Sequence, residues 1–210
     1  MQAEVSSDLT PPWYLMNETV DGRRPGGIHW GGLIDAARRA QRALASSNPP
    51  DEVVLRATQA FHELADLLEP HVTDEATQAF GRRPELHGVG QSHRPAIAMT
   101  RVTDQSITGA VHFDRTYLGA GDAVHGGVVA LLFDDFFGVV AHVGGRPPAR
   151  TAYLHLDYRA LTPIDTDLVV TGWIRSEQGR KRVVAGELRH GDVVCAEAEG
   201  LFVQLLRPTH

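Results

Sequence analysis

The stretch Tyr117-Leu118-Gly119-Ala120-Gly121-Asp122-Ala123-Val124-His125-Gly126-Gly127-Val128-Val129-Ala130-Leu131-Leu132-Phe133-Asp134-Asp135 decides the fold. It opens with turn formers, passes through His125-Gly126-Gly127, and becomes a long apolar run. That pattern predicts a helix from Gly126 to about residue 143. Outside it the chain changes grammar. On its N-terminal side, residues 96–103 and 107–113 read as two short strands separated by Asp104-Gln105-Ser106, a hairpin signal. On its C-terminal side, residues 151–158, 168–176, 182–189 and 193–205 read as four more. Turn signals at Pro163-Ile164-Asp165, Gln178-Gly179 and His190-Gly191-Asp192 separate them. An antiparallel sheet must bury one face, and a single apolar helix laid against it supplies the cover. The order therefore predicts an α+β domain over residues 91–210, with an antiparallel sheet wrapped around a long central helix.

Residues 1–90 follow helical spacing instead and predict an irregular arm with a helical extension. Residues 1–29 carry Pro11-Pro12, Asp21-Gly22 and Pro25-Gly26-Gly27 and read as the arm, with Trp13, Tyr14 and Trp30 placed to dock on apolar surface. Leu33, Ile34, Ala37, Ala40, Ala43 and Leu44 make one helical stripe. Val54, Ala57, Phe61, Leu64, Ala65 and Leu68 make a second, with Asn48 or Asp51 as its cap and Pro70 as its end. Residues 82–94, with Pro84, Gly88 and Gly90, read as a linker.

The 117–135 stretch, together with Thr151-Ala152-Tyr153-Leu154-His155-Leu156-Asp157-Tyr158, resembles the phenylacetate-degradation (PaaI-like) group of hotdog-fold acyl-CoA thioesterases. The resemblance covers roughly residues 95–205 and leaves the first 90 outside. It implies the hotdog fold, hydrolysis of an acyl-CoA or related thioester to a free acid and CoA, and no cofactor. By that resemblance His125 orients the loop and the thioester, an acid nine residues after it either activates water as a base or attacks directly as a nucleophile, and the Thr151 hydroxyl helps to hold that acid or its water. Helix geometry selects the same acid. At ~100° per residue, Asp134 returns to within about 20° of the direction of Gly127, whereas Asp135 points about 80° away. Asp135 is expected to be a solvated or structural acid.

Glycines at a helix start leave backbone N–H groups open at the positive end of the dipole. The Gly127 N–H is thus the expected donor to the oxyanion of an attacked thioester, with Gly126 permitting close approach. Phe133 and Phe137 are expected in the core and the wall of an acyl pocket. Asp134 and Gly127 are seven residues apart, about 10 Å along the helix, too far to act on one carbonyl. The related enzymes solve this by pairing subunits, which predicts a homodimer or a dimer of dimers (homotetramer). One departure stands out. Many relatives carry an Asn or Gln in the loop before the His, but this chain has none between Arg115 and Val124, and position 119 is glycine.

Composition excludes other classes. A net charge of -6, spread along the chain, lacks the basic footprint of nucleic-acid binding. Arg23-Arg24, Arg82-Arg83 and Arg180-Lys181-Arg182 read as solvated turns, the last two also as candidate contacts for CoA phosphates. No apolar stretch approaches the ~20 residues of a membrane span. The start of the chain does not read as a secretory signal, so a cytoplasmic protein is expected. Cys195, the sole cysteine, sits in an alternating apolar run and reads as a core residue. His62, His71, His87, His93 and His112 lack ligand spacing, so no metal is expected. Two other readings remain open at this stage: a non-catalytic acyl-CoA-binding or interaction module, and an enoyl-thioester hydratase on the same fold.

Overall fold

The computed structural model describes residues 24–205. They divide into two compact units, residues 24–92 and 93–205.

The first unit holds α1 (Trp30–Ala45) and α2 (Asp51–Leu68). α2 starts where its acids favour it: Asp51 and Glu52 occupy the first turn, at the positive end of the dipole. The cap position is taken by Pro50 in extended conformation, without a side-chain cap, rather than by Asn48 or Asp51. α2 stops at Leu68, and Pro70 sits in the short 3₁₀ turn Glu69–His71 that follows. The expected linker from residue 82 is mostly a packed segment. Trp30 Nε1 donates to the Gly90 carbonyl (3.1 Å) and Arg38 donates to the Gln91 carbonyl (2.6 Å). Arg83, read from sequence as solvated, is buried and donates to the carbonyls of Pro25 (2.9 Å) and Gly27 (2.8 Å). Trp13 and Tyr14, expected to dock, lie outside the described residues.

In the second unit, β1 (Ile97–Val102), β2 (Ser106–His112), α3 (Gly126–Val140), β3 (Ala149–Tyr158), β4 (Asp167–Gln178), β5 (Lys181–His190) and β6 (Val193–Gln204) follow in that order. The six strands form one antiparallel sheet in the order β1-β2-β4-β5-β6-β3, with α3 against its inner face. This is the hotdog arrangement, and β1 and β3 are its edges. Val129, Leu132, Phe133, Phe136, Phe137 and Val140 of α3 are all fully or almost fully buried. Small residues in the sheet admit the rings. A Cβ at Gly172 of β4 would sit 2.9 Å from the Phe136 ring, and one at its register partner Gly186 of β5 would sit 2.7 Å from the Phe137 ring. Those approaches draw the helix onto the sheet, where packed aromatic side chains dominate core energetics.

α3 ends at Val140, three residues before the expected point. Gly144 and Gly145, both at positive φ, turn the chain back toward β3. Below the helix end, Arg182 is buried, donating to the Ala141 carbonyl and pairing with Glu177 (2.7 Å). It is a structural cation, which removes it as a candidate phosphate contact. Cys195 is buried in the core, as its alternating run suggested.

Candidate active site

The loop that enters α3 is held by its backbone. Gly119 N–H donates to the Ala123 carbonyl (2.7 Å), His125 N–H to the Tyr117 carbonyl (2.8 Å), and Val124 N–H to the Thr162 carbonyl (2.8 Å). Asp114 opens it by accepting from the Thr116 N–H (2.9 Å). The path explains why no side chain stands at position 119: a Cβ there would lie 2.9 Å from the His125 Cα. An amide at that point would need a different loop.

His125 is the N-cap of α3, and its Nδ1 accepts the Gly127 N–H at 3.0 Å. This alters the expectation that the Gly127 N–H stands open. The donor is at the helix start and on exposed surface, but the His125 ring occupies it. A ligand oxygen that takes this N–H has to displace the imidazole.

Asp134 is exposed on α3, and the Thr151 hydroxyl donates to its Oδ1 at 3.1 Å. An irregularity in β3 makes the contact possible. Between Thr151 and Tyr153 the register with β6 shifts, so Thr151 pairs with Phe202 and Tyr153 with Leu201. The extra residue, Ala152, changes the phase of the strand. Thr151 thereby faces the helix, as does Leu154 opposite Gly200, while Tyr153 turns outward to bond Glu199 (2.9 Å). A strand of strict alternation would have put Thr151 and Leu154 on opposite faces.

Asp135 points elsewhere. It pairs with Arg94, in the segment leading to β1, and its side chain is 17% exposed. Burial pushes its carboxyl up to about 6; Arg94 beside it pulls the value down and Asp134 pushes it up. Asp135 is therefore a structural acid, not a solvated one. Of the two neighbouring acids the exposed one is Asp134.

Phe133 and Phe137 have no exposed surface and meet edge to face with centroids 5.3 Å apart. They are core residues here, because a pocket wall needs open surface that neither has. Sequence reasoning missed two contacts. One is the Arg94–Asp135 pair. The other is Tyr158, whose hydroxyl donates to the Gly126 carbonyl at 2.7 Å. The even spacing of Leu154, Leu156 and Tyr158 on one face of β3 could have placed that ring toward α3. Among the described residues, no group of three or more His, Cys, Asp and Glu side chains is arranged to hold a metal, and no helix is long and apolar enough to cross a membrane.

A sheet curled on one helix that opens with His-Gly-Gly, with an acid two turns further on paired to a hydroxyl from an edge strand, defines a class before any comparison. Comparison with known proteins gives it a family. The thioesterase superfamily profile matches residues 121–197. A crystal structure of a thioesterase superfamily protein is 32% identical, covering 85% of this chain and 96% of that one with a TM-score of 0.72. The chain belongs to the thioesterase superfamily. That match is larger than residues 93–210 could supply, so it takes in part of the N-terminal helical region, which the sequence resemblance had left outside. The Escherichia coli PaaI protein of the phenylacetic acid degradation operon is 16% identical over 51% of this chain and 82% of its own, with a TM-score of 0.49. A Streptococcus mutans protein bound to acetyl CoA is 17% identical over 51% of this chain and 86% of its own, with a TM-score of 0.48. No curated protein matches the chain.

Proposed function

We propose that the protein hydrolyses an acyl-CoA or related thioester, with Asp134 as the base. The observation that carries the reading is the Thr151–Asp134 contact on the exposed side of α3, in a chain of the thioesterase superfamily. Thr151 holds one oxygen of the carboxylate, and the other takes a proton from water. The resulting hydroxide adds to the thioester carbonyl, the oxyanion accepts the Gly127 N–H, and collapse breaks the C–S bond. Asp134 returns its proton to the leaving thiolate, giving free acid and thiol and restoring the carboxylate. His125 swings off the Gly127 N–H as the carbonyl arrives and orients the loop, while the space beside the Gly126 Cα is taken by the Tyr158 ring. No cofactor enters this chemistry.

The site is completed by a second copy of the chain. Asp134 and the Gly127 N–H are about 10 Å apart along one helix, and β3, which carries Thr151, is an edge strand with one side unpaired. Pairing of two copies there sets Asp134 of one chain against the His125–Gly127 loop of the other. The helical extension over residues 1–90 and the thioesterase domain over 91–210 are proposed as separate domains, the catalytic groups all belonging to the second.

Thiol release from a panel of acyl-CoA thioesters, followed with a colour reagent, tests the reading. The expected result is release by the native chain and loss of it in Asp134→Asn. Absence of thiol with every thioester, or full activity in the variant, refutes it.

A further inference from the structure

We infer that Tyr158 is a positioning residue of the oxyanion site, acting through the peptide bond between Gly126 and Gly127. Its kinetic consequence rests on the thioesterase reading, whereas its structural basis does not. The Tyr158 hydroxyl donates to the Gly126 carbonyl oxygen at 2.7 Å. The N–H at the other end of that same peptide group belongs to Gly127 and donates to His125 Nδ1 at 3.0 Å. Phenol, peptide and imidazole thus form one directed chain of hydrogen bonds. A bond accepted by a peptide carbonyl draws electron density from the nitrogen and makes its N–H a stronger donor, so consecutive bonds strengthen one another. The donor that is strengthened here is the one assigned to the oxyanion.

The contact is built rather than incidental. Tyr158 reaches the helix start because the phase change at Ala152 turns the later part of β3, including Leu154, Leu156 and Tyr158, toward α3. The ring lies over Gly126 so closely that a Cβ there would stand 3.2 Å from the Tyr158 hydroxyl oxygen and 3.3 Å from Cζ. Gly126 is therefore the residue that lets the phenol reach its carbonyl. Tyr158 remains exposed, so the contact is not one that core packing imposes.

Negative charge gathers on the substrate oxygen only as the tetrahedral state forms, so a stronger donor lowers the barrier more than it tightens ground-state binding. Tyr158→Phe keeps the ring beside Gly126 and removes only the hydroxyl. The expected result is a kcat lower by about two- to five-fold, the scale of a ~10–30% cooperative gain in the strength of an oxyanion donor, with KM unchanged. A second readout needs no turnover. In protein labelled with ¹⁵N at glycine, with the Gly127 signal assigned by Gly127→Ala, loss of the bond to the preceding carbonyl moves the Gly127 nitrogen upfield. The ring is retained, so its ring current does not mimic the shift. A variant that keeps the native kcat and the native Gly127 signal overturns the inference while leaving the thioesterase reading intact. A rise in KM or a fall in melting temperature with no Gly127 shift also overturns it, because both mark a merely structural contact. If the native chain cleaves no thioester, the thioesterase reading fails, and an unmoved Gly127 signal still overturns this inference on its own.

Discussion

The two sides of α3 treat neighbouring acids in opposite ways. Toward the β3 edge, Asp134 is exposed and held by a neutral hydroxyl from Thr151. Toward the segment leading into β1, Asp135 is mostly buried and paired with the Arg94 guanidinium. One acid has an open face and a single neutral partner. The other has its charge used up locally. Adjacent positions on one helix differ by about 100°, so a single residue step separates an acid available for chemistry from one committed to structure.

The largest expected effect tests the open side. Asp134→Asn should lower kcat by about a thousand-fold, equivalent to about 4 kcal/mol in the barrier, and leave stability within about 0.5 kcal/mol. Thiol release and urea unfolding check the two parts. The comparison breaks if Asp135→Asn gives the larger loss of kcat.

A second effect concerns the core between the two sides. Phe137→Ala removes a fully buried ring packed against Gly186 and Gly200, and should destabilise the fold by about 3–5 kcal/mol in urea unfolding. A much smaller loss would mean that the ring does line open space, as the sequence had suggested.

The buried side should reveal itself through pH. Asp135 binds more protons folded than unfolded between its ordinary value near 3.8 and about 6. Its contribution to stability is therefore most favourable below that window and falls as pH rises through it, by about 2–3 kcal/mol in total. Asp135→Asn, which does not titrate, should remove that slope when urea midpoints at about pH 4 and about pH 7 are compared with those of the native chain. An unchanged slope would show that Asp135 is solvated after all.

The frame that carries the candidate site was legible in the sequence, for a physical reason. The start of α3 and the turn signals between the strands are local patterns, and the angle between Asp134 and Gly127 follows from helix geometry alone. The termination of α3 at Val140 was read too late because apolar residues continue to Val143, while the backbone is turned by Gly144 and Gly145. Long-range polar pairs carried no local signal. Arg83, Arg182 and the Arg94–Asp135 pair depend on carbonyls or carboxylates brought near by the fold, so basic clusters read as solvated turned out to contain buried cations. The phase change at Ala152 was equally silent, yet it is what lets both Thr151 and Tyr158 face the helix.

The smallest effect on the open side belongs to Thr151. Thr151→Val keeps the shape and removes the hydroxyl, and should lower kcat by about five-fold. A loss as great as that of Asp134→Asn would make the hydroxyl itself the reacting group.

The central claim is that Asp134 of one chain works on the His125–Gly127 loop of another, and subunit complementation tests it most directly. Asp134→Asn removes the base. Gly127→Val blocks the loop, because its Cβ would stand 3.2 Å from His125 Nδ1 and its branches would crowd the N–H assigned to the oxyanion. Each variant alone should be inactive. Co-expression of the two should restore thiol release, since each mixed dimer contains one site with both halves intact. Mixed dimers that form and remain inactive would place the whole site within a single chain and contradict the account.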